Sequence, residues 1–325
     1  MVSKTLYTSG SGQPLPKWKQ VLKQSGVLWA LLALCVIASI SSPYFLQPEN
    51  LINIVRQMAI VGIVSIGMTF VILTAGIDLS VGSIIAVVAV VCADMLQHGV
   101  PQPVVLISGL FIGALFGGIN GIGITNGKIP AFIMTLGMMV AGRGIAMTFS
   151  KGQPVSLGTA SQDFYWLGGG SWLGVPVPVI ILGIMVVLAI LLLNYTSFGR
   201  AVYAIGDNPE AARLSGINNS WIVFNVYVIS GVLSGLTGLI LISRLTVGEP
   251  TAGTGYELDA IAMVVIGGTS LFGGEGGIRG TMIGAAIVVV IANILNLLGV
   301  SPFTQQIVKG LIIVLAVLLE RRKRS

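Results

Sequence analysis

QMAIVGIVSIGMTFVILTAGI, residues Gln57–Ile77, runs for 21 positions without one charged side chain. A helix needs about 20 apolar residues to cross a hydrocarbon core of about 30 Å, so this stretch is long enough to span a bilayer. The rest of the chain repeats the pattern. Only 9% of its 325 residues are charged, 54% are hydrophobic, and the mean hydropathy is +0.96. Soluble domains carry about 25% charged residues because a folded surface must be wetted. With 17 basic and 11 acidic side chains, this chain cannot supply such a surface. That excludes a soluble enzyme, a nucleic-acid binder and a disordered protein, and leaves a chain whose solvent is lipid.

Around the first run, further apolar segments are read at Gly26–Ser42, Leu79–Ala93, Pro103–Thr125, Pro130–Phe149, Val175–Asn194, Trp221–Ser243, Ala260–Leu271, Gly280–Leu298 and Gln305–Leu319. The expected fold is all-α: a polytopic membrane protein of about ten transmembrane helices, two of them short. One transmembrane domain occupies residues 26–319, between a Lys-rich N-terminal tail at 1–25 and a basic C-terminal tail at 320–325. An even number of spans puts both tails on one side, and positive charge marks that side as cytoplasmic. The loop Thr196–Ser220 falls there with Arg200 and Arg213, as do Lys128 and Arg279, while Arg56, Lys151 and Arg244 fall opposite. Abundant Gly (44 residues) suits close helix packing in lipid. Cys35 and Cys92 lie inside apolar runs, so neither a disulfide nor a metal site is expected.

Two Gly-rich turns flank the short segments, and both are expected as cytoplasmic loops: Gly76–Ser83, with Gly76, Asp78 and Gly82, and Gly273–Thr281, with Gly274, Gly277 and Arg279. A shift of 198 residues aligns Gly76 with Gly274 and Gly82 with Gly280. As a repeat, this marks interrupted helices in corresponding halves beside a translocation path. As chance, it marks two ordinary hairpins with glycine caps.

Absences narrow the function. No G-x-x-x-x-G-K-[ST] is present, so the chain has no such cradle for nucleotide phosphates. Asp78, Asp94, Asp163, Asp207, Asp259 and the glutamates read as span ends or loops, which disfavours an ion-coupled carrier. Energy then has to enter from outside the chain. The candidate contact is the loop after the sixth span, where Asp207 or Asn208 can cap a short helix with Pro209 first and Glu210 in its first turn. Ala211, Ala212, Arg213, Leu214 and Ser215 continue it, and Gly216 can end it. The alternative is a plain surface helix closing a loop.

EAARLSG at Glu210–Gly216 resembles the E-A-A-x-x-x-G loop of binding-protein-dependent ABC permeases. ILTAGIDLSVGS (Ile72–Ser83), the stretch Pro250–Thr281 and LNLLGVSP (Leu295–Pro302) are similar to the permease subunit of ribose-type sugar importers. The resemblance runs from about the first span to the tail. It implies an ATP-driven importer of a monosaccharide in a bacterial inner membrane. It also implies a second copy of the chain, two cytoplasmic ATP-binding subunits or one tandem ATPase, and a separate sugar-binding protein. ATP is held by those partners, so no cofactor and no catalytic residue are expected here. The family's coupling helix maps onto Asn208–Gly216. No I-x-L-P ending follows Gly216, as is usual in the ribose-type branch. A branched-chain amino-acid permease and a facilitative or secondary carrier are the rival readings.

Neutral polar residues within spans are candidates for the translocation path: Thr69, Thr74, Asn120, Thr135, Asn293 and Asn296. Interhelical hydrogen bonds explain them equally well. Arg143, inside the fifth span, is expected against a buried polar partner or near the outer interface. Lys151 and Asp163 on one outer loop, with Glu249, Tyr256, Glu257 and Asp259 on another, are candidates for docking a binding protein.

Overall fold

Proline sets where several helices begin. Its fixed φ and missing N–H suit a first helical turn, and it stands at the first or second position of α2 (Pro48–Leu73), α4 (Gln102–Thr125) and α6 (Val177–Tyr195). The computed structural model describes residues 26–311 and Val314. Around those three helices lie α1 (Gly26–Ser41), α3 (Val81–Gln97), α5 (Ala131–Ser150), α7 (Ser197–Asp207) and α8 (Pro209–Leu214). After them come α9 (Asn219–Leu245), α10 (Tyr256–Ile266), α11 (Ile278–Leu297) and a helical stretch at residues 302–311. The strands among the described residues are two-residue pairs in loops. The chain is an all-α polytopic membrane protein. Both tails and the end of the last expected span lie outside the described residues.

Six helices among the described residues are long and apolar enough to cross a membrane: α2, α4, α5, α6, α9 and α11. The core is built on α2 and α9, whose apolar windows are each 78% buried, against 17% for α5 and 22% for α6. With 26 and 27 residues, α2 and α9 reach about 40 Å at 1.5 Å per residue. Helix α3 is buried along most of its length beside them.

Glycine lets α4 and α9 touch backbone to backbone. Gly109, Gly113, Gly117 and Gly121 recur every fourth residue of α4 and face Gly235, Gly231, Tyr227 and Phe224 in antiparallel order. A methyl group on Gly113 would overlap the Gly231 carbonyl, and one on Gly231 would overlap the Gly113 carbonyl. In lipid, where apolar burial gives helices little reason to associate, such close packing supplies the attraction.

Two corrections concern depth. Asp78 accepts hydrogen bonds from the Ser80 amide (3.0 Å), the Ser80 hydroxyl (2.6 Å) and Ser230 (2.7 Å), all fully or nearly buried. Ser230 lies about 16 Å along α9 from its start. The turn holding Gly76, Asp78 and Gly82 is therefore not a cytoplasmic surface loop, because it enters the bundle, where α3 starts. The segment after α9 also turns back inward. Its Gly253 meets Gly82 with no room for a Cβ between them. Tyr256, Glu257 and Asp259 therefore belong to α10 inside the bundle, and not to an outer docking surface; Asp259 pairs there with Lys309 at 2.9 Å.

The shift of 198 does not describe the symmetry either. Long α2, a break, short α3 and then α4 and α5 correspond to long α9, a break, short α10, α11 and residues 302–311. Four crossings, α3 to α6, lie between α2 and α9, so the second set runs in the opposite sense, as in inverted-repeat transporters. Thr74–Ala75–Gly76 at the first break matches Thr251–Ala252–Gly253 at the second.

Candidate coupling site and gate

The local sequence builds α7 and α8 as a capped pair. Thr196 accepts from the Gly199 amide at 3.1 Å to start α7. Asn208 ends α7 and caps α8, its Oδ1 accepting from the amides of Glu210 and Ala211 at 3.0 Å each. Pro209 follows as the first residue of α8. Arg213 donates to Glu210 through Nε (3.2 Å) and Nη2 (2.6 Å), and this bond holds the Glu210 carboxyl below its ordinary range. Ser215 returns a hydrogen bond to the Ala211 carbonyl at 2.9 Å. Gly216 then takes φ +84°, and the Ile217 amide reaches the Ala212 carbonyl at 3.1 Å, closing the helix as a Schellman motif. Ala212 is the buried contact, while Leu214 stands 75% exposed beside Glu210 and Arg213. The helix presents one apolar knob between charged neighbours.

Behind that knob, α7 is fixed to the bundle. Phe198 stacks edge-on against Trp221 at 6.1 Å and contacts Phe70 of α2 at 6.5 Å. At the other end of α7, Gly206 leaves no space for a side chain between the Leu73 carbonyl and the Gly274 amide. Those two groups bond to each other at 3.0 Å. Gly273, at φ +84°, packs on Gly206 and Ala75, and Tyr203 donates to the Gly276 carbonyl at 3.0 Å. The end of α2 and the turn between α10 and α11 therefore join α7 two residues before the cap of α8. Of the expected loop residues, Gly274, Gly277 and Arg279 do lie on this face; Gly277 and Arg279 line a cavity with Tyr203 and Asn194.

Deeper in the protein, the starts of α3 and α10 meet at Gly82 and Gly253. Arg143 of α5 reaches across from its own helix and donates to the carbonyls of Pro250 (2.8 Å) and Ala252 (3.1 Å). That is the buried polar partner its position demanded. Glu257 lies close enough to act on Arg143 electrostatically. Thr251, Thr254 and Leu258 are exposed on the same segment.

The neutral polar candidates are used internally. Thr69 bonds Thr281 (2.8 Å), Asn120 donates to Ser80 (2.8 Å), and Thr135 reaches the Ile77 carbonyl (3.1 Å). Asn293 pairs with Asn50 (2.7 Å), Asn296 accepts from Gln305 (3.0 Å), and Thr74 caps α2 on the Val71 carbonyl (2.9 Å). Thr74 bonds within its own helix and the others link neighbouring segments, so interhelical bonding accounts for those five without a path. Lys151 and Asp163 are exposed on loops opposite α8, and Glu249, half-buried, accepts from Thr251 at 3.0 Å. The sequence assigns no role to Gly206, Tyr203, Ser80 or Ser230, and marks Gly273 only as the start of a turn. The repeated Thr-Ala-Gly was the signal that leads to both breaks.

Residues 50–317 match the protein family described as branched-chain amino acid transport system / permease component. The chain is 47% identical over 308 residues to the ribose import permease protein RbsC of Escherichia coli (strain K12), covering 94% of this chain and 96% of that one. It is 49% identical over 306 residues to the ribose import permease protein RbsC of Bacillus subtilis (strain 168), covering 94% and 95%. With the xylose transport system permease protein XylH of Escherichia coli (strain K12) it shares 37% over 338 residues, covering 85% and 86%. No solved structure matches the chain.

Proposed function

Because the chain belongs to the family of transport-system permease components just described, we propose that it is the membrane-spanning subunit of an ATP-driven importer of a monosaccharide, ribose before others. The names of its relatives support the cargo: two are ribose import permeases and a third serves xylose transport. The chain catalyses no reaction and binds no cofactor. ATP is bound and hydrolysed by two cytoplasmic subunits, or one tandem subunit, gripping α8. A second copy of the chain completes the path, and a sugar-binding protein delivers cargo on the side opposite α8. Both termini then face the cytoplasm of a bacterial cell, across its inner membrane.

The observation that carries this reading is the continuity from α8 to the first helix break, after α2, and to the turn that ends the second half-helix, α10. Leu214 and its charged neighbours form an exposed, rigidly capped contact. Through Gly206, the same unit touches the end of α2 and the turn before α11. Closure of the ATPase subunits would move α8, and the two broken helices would follow. The half-exposed Arg143 and Glu257 support a path on the α5–α10 face, since charges that far inside a bilayer do not face lipid.

Reconstitution tests the reading. In liposomes the chain alone should pass no sugar, and with its ATPase and binding protein it should take up labelled ribose only when ATP is supplied. Rapid ribose flux without partners would refute it. Leucine uptake in place of ribose would favour the amino-acid branch of the same family.

A further inference from the structure

Backbone that re-enters a bilayer must satisfy its carbonyls within the protein. In the segment after α9, alternate carbonyls do so locally. The Ala252 amide donates to Glu249, the Thr254 amide to Thr251 and the Tyr256 amide to Gly253. The two between them, Pro250 and Ala252, turn the other way, and both take their hydrogen bonds from Arg143 Nη1. One guanidinium on a neighbouring helix thus completes the set. Arg143 lies about 18 Å along the 20-residue α5, with Glu257 within electrostatic range of it. The turn it holds carries Gly253, which is packed on Gly82 where α3 begins.

We propose that Arg143 is a positioning residue for transport: by binding the Pro250 and Ala252 carbonyls it pins the re-entrant turn against Gly82 and so sets where the path is closed. This rests on the transport reading above but makes its own demand. With the pin removed, two carbonyls are left without donors and the turn departs from Gly82. The path then leaks, whether or not α8 is moved. Lysine, with a tetrahedral ammonium on a flexible stem, lacks the planar guanidinium that fixes the two N–H groups of Nη1 toward both carbonyls.

The test uses the chain reconstituted with its ATPase and binding protein, carrying Cys35→Ser, Cys92→Ala and a reporter, Thr254→Cys, on the exposed edge of the turn. Arg143→Met should raise the rate of reporter labelling by a membrane-impermeant maleimide about tenfold, the population change that losing about 1.4 kcal/mol of hydrogen bonding produces. It should also open ATP-independent ribose leak. Arg143→Lys should fall between Met and the parent in both. Labelling and leak at parental rates in Arg143→Met would overturn the proposal. If that variant does not insert, parental rates in Arg143→Lys would do so. A parent that labels slowly but takes up no ribose with ATP would instead overturn the transport reading, with the labelling comparison still reporting on Arg143.

Discussion

Replacing Gly273 by alanine should uncouple transport from ATP hydrolysis. The residue sits at φ +84°, and its Cβ would stand 2.9 Å from the Gly206 Cα and 3.0 Å from the Ala75 amide. Ordinary contact begins at 3.4 Å, so the junction has to open by the difference from 2.9 Å, which is 0.5 Å. A left-handed alanine costs about 1–2 kcal/mol, and overpacking a tight contact about 1–3 kcal/mol more. Gly299 separates the two, since it has φ +72° and nothing within 4 Å of its Cβ position, so Gly299→Ala carries the backbone strain alone. What remains for the contact is about 1–3 kcal/mol, or about five- to 150-fold in the population of the joined arrangement. The assay is sugar taken up per ATP hydrolysed in proteoliposomes holding the full transporter. Gly273→Ala should lower that ratio at least about fivefold relative to Gly299→Ala, with hydrolysis retained. Equal ratios in the two variants would show that force does not pass through Gly206 and Gly273.

Asn208→Ala removes the acceptor for two α8 amides and should cost about 1 kcal/mol of helix stability, so the variant should retain its ATPase subunit several-fold less well in co-purification; equal retention would count against α8 as the docking element. Gly231→Ala presses a methyl group into the Gly113 carbonyl and should lower the melting temperature in detergent by the equivalent of about 1–3 kcal/mol, while Gly183→Ala, with open space around it, should not. At Asp78, asparagine keeps an acceptor for Ser80 and turns its amide N–H toward the Ser230 hydroxyl oxygen, whereas alanine strands both, so Asp78→Ala should melt well below Asp78→Asn, and identical melting would refute the network. For Glu210 the bonded form is the anion, so its contribution to α8 is complete above the ordinary carboxylate value of about 4.3 and fades only as pH falls through the lower folded value. Carbon-13 titration of the Glu210 carboxyl should therefore give a midpoint below about 4.3, and one at or above that value would contradict the Arg213 bond.

The helices and α8 were legible because their causes are local. Charge-free runs of spanning length gave the expected segments at Pro103–Thr125 and Val175–Asn194, close to α4 and α6. Asn208, Pro209, Glu210 and Gly216 each act within one or two turns of their own position, so sequence alone narrowed the cap to Asp207 or Asn208, the latter being the residue used, and placed the first turn and the stop. Depth was not legible. Nothing near Asp78 in the sequence announces Ser230, 152 residues away, as its partner, and a polar turn rich in glycine reads as surface until that partner is known. The same holds for Tyr256, Glu257 and Asp259. Their acidity suggested an outer loop, but Arg143, 107 residues before Pro250, draws the segment inward. The Thr-Ala-Gly repeat lay in view. The 198-residue alignment missed it because abundant glycine offers many equally good registers.

The two breaks explain why a chain without its own energy source can still be driven. A continuous helix pushed at one end moves as a rod, whereas α3 and α10 begin inside the bundle and are tied to their neighbours by glycine contacts and a few hydrogen bonds. Each such tie is worth about 1 kcal/mol net, small against what nucleotide-driven subunit closure can deliver. The α4–α9 seam, built on continuous backbone contact from Gly109 to Gly121, is the stiffer element. Force arriving at Gly206 therefore meets a rigid wall on one side and two loosely held half-helices on the other, and the half-helices are the parts that yield.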